Sequence, residues 1–161
     1  MVISFSDLHE LRSRHPHKKI VLSSGTFDLF RVNHLYYLQE ARKYGEIMVV
    51  MVSSDARVMA SKGASRPMYS EMDRAAIIDG LKVVDYVFIE PGKNKRGEID
   101  QTYANVFSSL KPDVFVTANE DWQNFTQVVG ETQLIIIPRI TEGRHSSTTA
   151  IISHIENSSS H

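Results

Sequence analysis

Two segments far apart in the chain carry the residue types that handle phosphate. The first runs Ser23-Ser24-Gly25-Thr26-Phe27-Asp28-Leu29-Phe30-Arg31-Val32-Asn33-His34. Gly25 and Thr26 make a turn that presents backbone N–H groups. Asn33 and His34 open the next helix, where orphan N–H groups and the dipole favour an anion. Arg31 and His34 are three apart, so in a tight first turn their side chains converge on one point. The same residues also suit a plain strand-to-helix turn with an incidental histidine, and the segment alone leaves both readings open. The second segment is Arg144-His145-Ser146-Ser147-Thr148-Thr149-Ala150-Ile151-Ile152. Its hydroxyls stand immediately before an apolar-periodic stretch. Taken alone, it reads most simply as an N-cap. The functional alternative is a second helix N-terminus donating to phosphates, with Arg144 adding charge.

Such residues act only if the elements around them bring them together. Five short apolar runs, Lys19–Ser23, Ile47–Val52, Val84–Ile89, Val114–Thr117 and Leu134–Ile137, are rich in Val and Ile and hardly alternate. That pattern predicts strands buried on both faces of a parallel sheet. Helical periodicity fills the gaps. His34–Tyr44 carries Leu35, Leu38 and Ala41, and Gly45 stands where a C′ glycine belongs. Ser70–Leu81 carries Ala75, Ile78 and Leu81. Gln101–Leu110 carries Tyr103, Val106, Phe107 and Leu110, with Pro112 beyond its end. Phe5, Leu8 and Leu11 predict a short N-terminal helix, with a loop at His15–Lys19. Ile151, Ile152 and Ile155 mark a last helix, and residues 157–161 a frayed tail. Alternation of this kind predicts an α/β fold: a Rossmann-like, doubly wound sheet of about five parallel strands with flanking helices. Ligands of such sheets sit beyond the carboxyl ends of the strands, at the switch in strand order.

Composition narrows the partners. The chain has 161 residues, about one domain's worth, and is read as a single domain with residues 1–18 forming the N-terminal helix and loop. Eighteen Lys and Arg against nineteen Asp and Glu leave a net charge of −1, so no general field draws the chain to nucleic acid. With no cysteine, thiolate zinc sites, iron–sulfur clusters and Cys nucleophiles are excluded, and a reducing, cytoplasmic setting fits. The strongest apolar run, Ile47–Val52, is far short of the roughly 20 residues that span a bilayer. No membrane partner is expected.

Taken together the motifs are more specific. The stretch Gly25–Gly45 resembles the signature of the cytidylyltransferase-like nucleotidyltransferases, G-x-F-D-x-x-H-x-G-H followed by an amphipathic helix. Lys62-Gly63-Ala64-Ser65-Arg66-Pro67-Met68 resembles the K-G-x-x-R-P-I segment of the adenylyltransferase domain of ADP-heptose synthase. Arg74 with the following LKVVDYVFI, and Ser147-Thr148-Thr149 before Ile151 and Ile152, match the same family. PRITEG followed by SSTT is similar to glycerol-3-phosphate cytidylyltransferase.

The resemblance implies attack of a substrate phosphate on the α-phosphorus of a nucleoside triphosphate, with loss of pyrophosphate. Such chemistry asks little of a general base and much of positioning and positive charge. Carried over by motif, Gly25, Thr26 and Phe27 cradle phosphates, and Asp28 positions the site or a magnesium ion. His34 contacts the α- and β-phosphates. Lys62, Arg74 and Arg139 or Arg144 balance charge, and Ser147 and Thr148 hold the β/γ end. Mg²⁺ is expected with ATP or CTP, held by triphosphate oxygens and water rather than by a protein cage. The implied partners are a nucleoside triphosphate, a phosphorylated small molecule and a second copy of the chain.

Two positions depart from the family pattern: Arg31 and Asn33 replace a His and a Gly. Arginine cannot shuttle protons, but it supplies charge and a planar donor fork. Asn33 tolerates a left-handed backbone but adds bulk. Trp122, after the fourth strand, either stacks on a base or covers the sheet edge. The leading expectation is an enzyme that transfers AMP from ATP to a sugar or polyol phosphate. Its rivals are a cytidylyltransferase acting on glycerol 3-phosphate or another alcohol phosphate, and a nucleotide-binding relative that has lost turnover.

Overall fold

A computed structural model describes residues 1–92 and 101–138. Within them lie strands β1 (Ile20–Gly25), β2 (Ile47–Val52), β3 (Tyr86–Ile89), β4 (Val114–Thr117) and β5 (Gln133–Ile136). The helices are α1 (Leu8–Arg14), α2 (Val32–Arg42), α3 (Asp55–Lys62), α4 (Glu71–Asp79), α5 (Gln101–Leu110) and α6 (Thr126–Val129). The predicted last helix, the tail, and Arg139, Arg144, Ser147 and Thr148 all lie outside the described residues.

All strand pairs are parallel, in the order β3-β2-β1-β4-β5. The order runs one way from β1 to β3 and the other way from β4 to β5, so the switch falls between β1 and β4. The predicted doubly wound sheet is therefore present, and its crevice opens beyond Gly25 and Thr117. Every residue of β2 and β4 is buried, which explains their unbroken apolar runs.

Side chains of alternate parity feed two cores, one on each face. Ile20, Leu22, Val49 and Phe88 pack with α1, α5 and the segment 120–129. Val21, Met48, Val50 and Val87 pack with α2 and α4. Ser23 is the buried polar exception in β1. Its hydroxyl lies 2.6 Å from the Tyr37 hydroxyl, which donates to the Val116 carbonyl at 2.8 Å, so α2 is tied to β1 and β4 together.

Several sequence expectations shift. β3 begins at Tyr86 rather than Val84, because Val84 still belongs to the turn that closes on Leu81. The N-terminal helix begins as a 3-10 turn over Phe5–Asp7. Gly45 is not a left-handed C′ residue; a Cβ there would meet the Lys19 carbonyl oxygen at 2.6 Å, so close backbone approach selects glycine. Helix α3 has no counterpart among the predicted elements. Met48 and Met51 fill the core, whereas Met59, Met68 and Met72 are exposed. His15, in the predicted loop, lies 3.2 Å from the Tyr86 hydroxyl. Among the described residues no helix is long and apolar enough to cross a membrane.

Candidate functional site

β1 ends at Gly25 in the crevice, and the chain turns there through an unusual backbone. Phe27 and Leu29 both adopt left-handed conformations, with φ of 53° and 48°. For non-glycine residues this costs of order 1–3 kcal/mol each, so the surroundings must impose it. Gly25 is required for steric reasons, because a Cβ there would meet the Phe27 ring at 2.7 Å. The ring folds over Gly25 and sets its face against the His34 imidazole, edge to face, with centroids 5.6 Å apart. Phe30 flanks the same imidazole at 5.5 Å.

The turn is held from behind by two buried arginines. Asp28, 2% exposed, accepts a hydrogen bond from Arg66 Nε at 2.8 Å and forms an ion pair with Arg66 Nη2 at 2.6 Å, both on Oδ2. Its other oxygen accepts the backbone N–H groups of Met68 and Tyr69 at 3.0 and 3.3 Å. Arg74 is 0% exposed and donates to the Thr26 carbonyl at 2.6 Å, the Tyr69 carbonyl at 3.0 Å and Asp55 Oδ1 at 2.6 Å. The Thr26 carbonyl is thereby drawn back onto Arg74, which fixes the backbone at the end of β1. Arg74 thus corrects the sequence expectation: it lies beneath the turn as a strut and not in the crevice as a counter-charge to phosphate. Asp28 fits the positioning half of its predicted role. Both of its oxygens are engaged by the protein, so it does not fit the alternative role of a magnesium ligand. Among the described residues no three His, Asp or Glu are grouped to hold a metal.

Helix α2 begins beside this turn, with Arg31 as its extended N-cap. Asn33 is helical at the second position of α2, so its tolerance of a left-handed backbone is not called on. His34 Nδ1 accepts the Arg31 backbone N–H at 3.2 Å. Arg31 Nη2 lies 3.2 Å from His34 Nε2, so donors from one residue face both nitrogens of the imidazole. A neutral ring accepts only one of them at a time, and an anionic oxygen beside the pair would give the other an acceptor. Partial burial pushes the Arg31 pKa below its ordinary value by desolvation, and a bound anion would act in the opposite sense. Arg31 and His34 are therefore brought together as the spacing predicts.

The other candidates separate. Lys62 ends α3 in an exposed position, and the chain beyond it leads to Arg66. Trp122 is 5% exposed and packs edge to face on Phe115 at 4.8 Å and Tyr103 at 5.0 Å. Of its two readings the structure selects the cover of the sheet, and the base-stacking role is withdrawn. Arg66 and Asp55 were missed as site-supporting residues. Their only sequence signal was position: Arg66 lies in the family-like Lys62–Met68 segment and Asp55 just after β2.

A parallel sheet with its strand order reversing between β1 and β4 defines the doubly wound α/β class, and the turn after Gly25 and the start of α2 stand at its switch point. The comparisons agree. A model of the family described as cytidylyltransferase-like matches residues 22–157, and the chain belongs to that family. The bifunctional protein HldE of Campylobacter concisus (strain 13826) is 36% identical over 153 residues, covering 95% of this chain and 30% of the relative. That of Helicobacter pylori (strain G27) is 37% identical, covering 88% of this chain and 28% of the relative. The chain is a nucleotidyltransferase-like domain that spans under a third of the length of these relatives. Among solved structures, the lipopolysaccharide core biosynthesis protein from Thermoplasma volcanium GSS1 has a TM-score of 0.59 at 24% identity, covering 74% of this chain and 96% of that one. Pantoate-beta-alanine ligase from Francisella tularensis, complexed with beta-gamma ATP and beta-alanine, has a TM-score of 0.58 at 13% identity, covering 89% of this chain and 69% of that one. Both share the fold.

Proposed function

We propose that the chain transfers a nucleoside monophosphate unit, AMP from ATP, to a sugar or polyol phosphate and releases pyrophosphate. An oxygen of the acceptor phosphate forms the new bond to the α-phosphorus. The bond to the β-phosphate oxygen breaks, and its electron pair leaves with pyrophosphate. The attacking oxygen is already anionic, so no protein base has to generate it. The chain's task is to position the two anions and offset their charge. Thr26 and Phe27 offer backbone N–H groups, while Arg31 Nη2 and His34 Nε2 donate to the α/β-phosphate region. Lys62, with Arg139 or Arg144, answers the remaining charge, and Ser147 and Thr148 receive the β/γ end. A magnesium ion bound with the triphosphate would neutralise charge on its oxygens. Similarity to the HldE proteins favours ATP over CTP. Small-molecule partners accord with the near-neutral charge, and a cytoplasmic homo-oligomer is what the family resemblance implies.

The observation that carries this reading is the convergence of Arg31 and His34 at the start of α2, beside a turn held in a costly backbone. The same contact also favours a second reading, in which the guanidinium occupies the imidazole edge and the chain binds nucleotide without turnover. Incubation with Mg²⁺, ATP or CTP and a panel of sugar and alcohol phosphates, with pyrophosphate followed, separates them. Release with ATP and a sugar phosphate supports the main reading. Release only with CTP and an alcohol phosphate replaces it with cytidylyl transfer. Tight binding without release, with release recovered on Arg31→His plus Asn33→Gly, establishes the second.

A further inference from the structure

The turn at residues 25–29 contains two left-handed non-glycine residues only two positions apart, Phe27 and Leu29. Nothing in their side chains favours that backbone. Asp28 stands between them. Its Oδ2 accepts Arg66 Nε and pairs ionically with Arg66 Nη2, and its Oδ1 accepts the Met68 and Tyr69 backbone N–H groups. Both partners are almost fully buried, with side-chain exposures of 9% for Arg66 and 1% for Asp28. A buried, charge-assisted hydrogen bond from a guanidinium is directional, so with its other oxygen held by two backbone N–H groups Asp28 has little freedom to turn. With Asp28 fixed on one side of the turn and the Thr26 carbonyl fixed on Arg74, the residues flanking Asp28 have few other paths.

We infer that Arg66 is a positioning residue: through Asp28 it holds Phe27 and Leu29 left-handed and so keeps the turn in its nucleotide-binding shape. This rests on the proposed reading only in its second half, that the shape binds a nucleoside triphosphate. Arg66 touches no substrate. It raises the population of the competent turn, and the apparent affinity scales with that population. The strain at one left-handed residue corresponds to about a tenfold step in an equilibrium constant.

The two halves are tested separately. In the unliganded protein, the φ-dependent amide-to-Hα couplings of Phe27 and Leu29 report the backbone directly. Calorimetric titration with Mg·ATP and Mg·CTP reports affinity. Arg66→Lys keeps the charge but loses the Nε donor; Asp28→Asn keeps the shape but loses the charge. Both should move the couplings away from left-handed values and weaken nucleotide binding at least about tenfold. Adding Leu29→Gly to either should recover most of the affinity, because glycine adopts a positive φ without being forced. Folded variants with unchanged couplings, or with changed couplings and unchanged affinity, overturn the inference. So does a failure of Leu29→Gly to restore binding. Should Asp28→Asn not fold, Arg66→Lys decides by the same measurements. Wild-type protein that binds neither nucleotide sinks the proposed function, and the couplings still judge the clamp.

Discussion

The backbone N–H of Arg31 lies 3.2 Å from Nδ1 of His34 and the Arg31 guanidinium 3.2 Å from Nε2, so one residue presents donors to both edges of the imidazole. A neutral ring accepts only one of the two, and a ring with its proton on Nε2 offers a donor beside the guanidinium. His34→Ala removes the donor and leaves α2 intact. Turnover in the pyrophosphate assay should fall at least about tenfold, within the range seen when one well-placed donor is lost. Unchanged turnover would take His34 out of the mechanism.

Arg31 makes the crevice cationic in a way histidine does not. Burial lowers its pKa, but a guanidinium starts so far above neutrality that it stays charged there. Arg31→Ala should lower kcat/KM for the triphosphate by roughly 10–150-fold, the worth of a charge-assisted hydrogen bond. Arg31→His should add a new pH dependence. An imidazole titrates near about pH 6.5, and its cation is the form that attracts phosphate, so affinity should fall as pH rises through that region. A wild-type pH profile with the same fall would show that residue 31 is not its source.

Gly25→Ala places a methyl group 2.7 Å from the Phe27 ring. The ring must move, and the His34 contact moves with it. Overpacking of this kind costs about 1–3 kcal/mol. Chemical denaturation should show a loss in that range, and Mg·ATP binding should weaken by more than the stability change alone would suggest.

Trp122 offers a control. Its indole is in the core with Phe107, Phe115 and Tyr103. Trp122→Ala should destabilise the fold by about 3–5 kcal/mol. Trp122→Phe should remain folded and bind ATP as the wild type does. A large affinity loss in the folded Phe variant would return Trp122 to the nucleotide site.

Arg57 and Glu90 form a second buried ion pair, linking α3 to the residue after β3, with the Arg57 guanidinium 4.9 Å from the centre of the Tyr103 ring. Glu90→Gln leaves a buried cation without its counter-charge and should cost about 3–5 kcal/mol in denaturant unfolding. A smaller loss on Arg57→Met plus Glu90→Gln would identify the uncompensated charge as the cause.

The sheet was legible because its strands are buried on both faces, and Val and Ile runs such as Ile47–Val52 have no other plausible place. Helix α5 was read with its bounds because Pro112 and the spacing of Val106, Phe107 and Leu110 mark one face. Helix α3 was not, because its buried residues Arg57 and Val58 are adjacent and one of them is charged. The site was half legible for the same reason. Arg31 and His34 are close in sequence, so their meeting follows from one helical turn. Arg66 and Arg74 reach Asp28 and Thr26 across 38 and 48 positions. Nothing local distinguishes an arginine that braces a turn from one that meets phosphate, and Arg74 was therefore assigned to the wrong side of the loop. Trp122 was undecided because its partners Phe115 and Tyr103 come from different elements.

The central claim is that the Gly25–Leu29 turn and the start of α2 receive the phosphates of a nucleotide. Amide NMR during titration with Mg·ATP tests it most directly. Signals of Thr26, Phe27, Asn33 and His34 should shift together and saturate, with the same midpoint as the calorimetric titration. Saturable binding that leaves those four signals still while others move would contradict it.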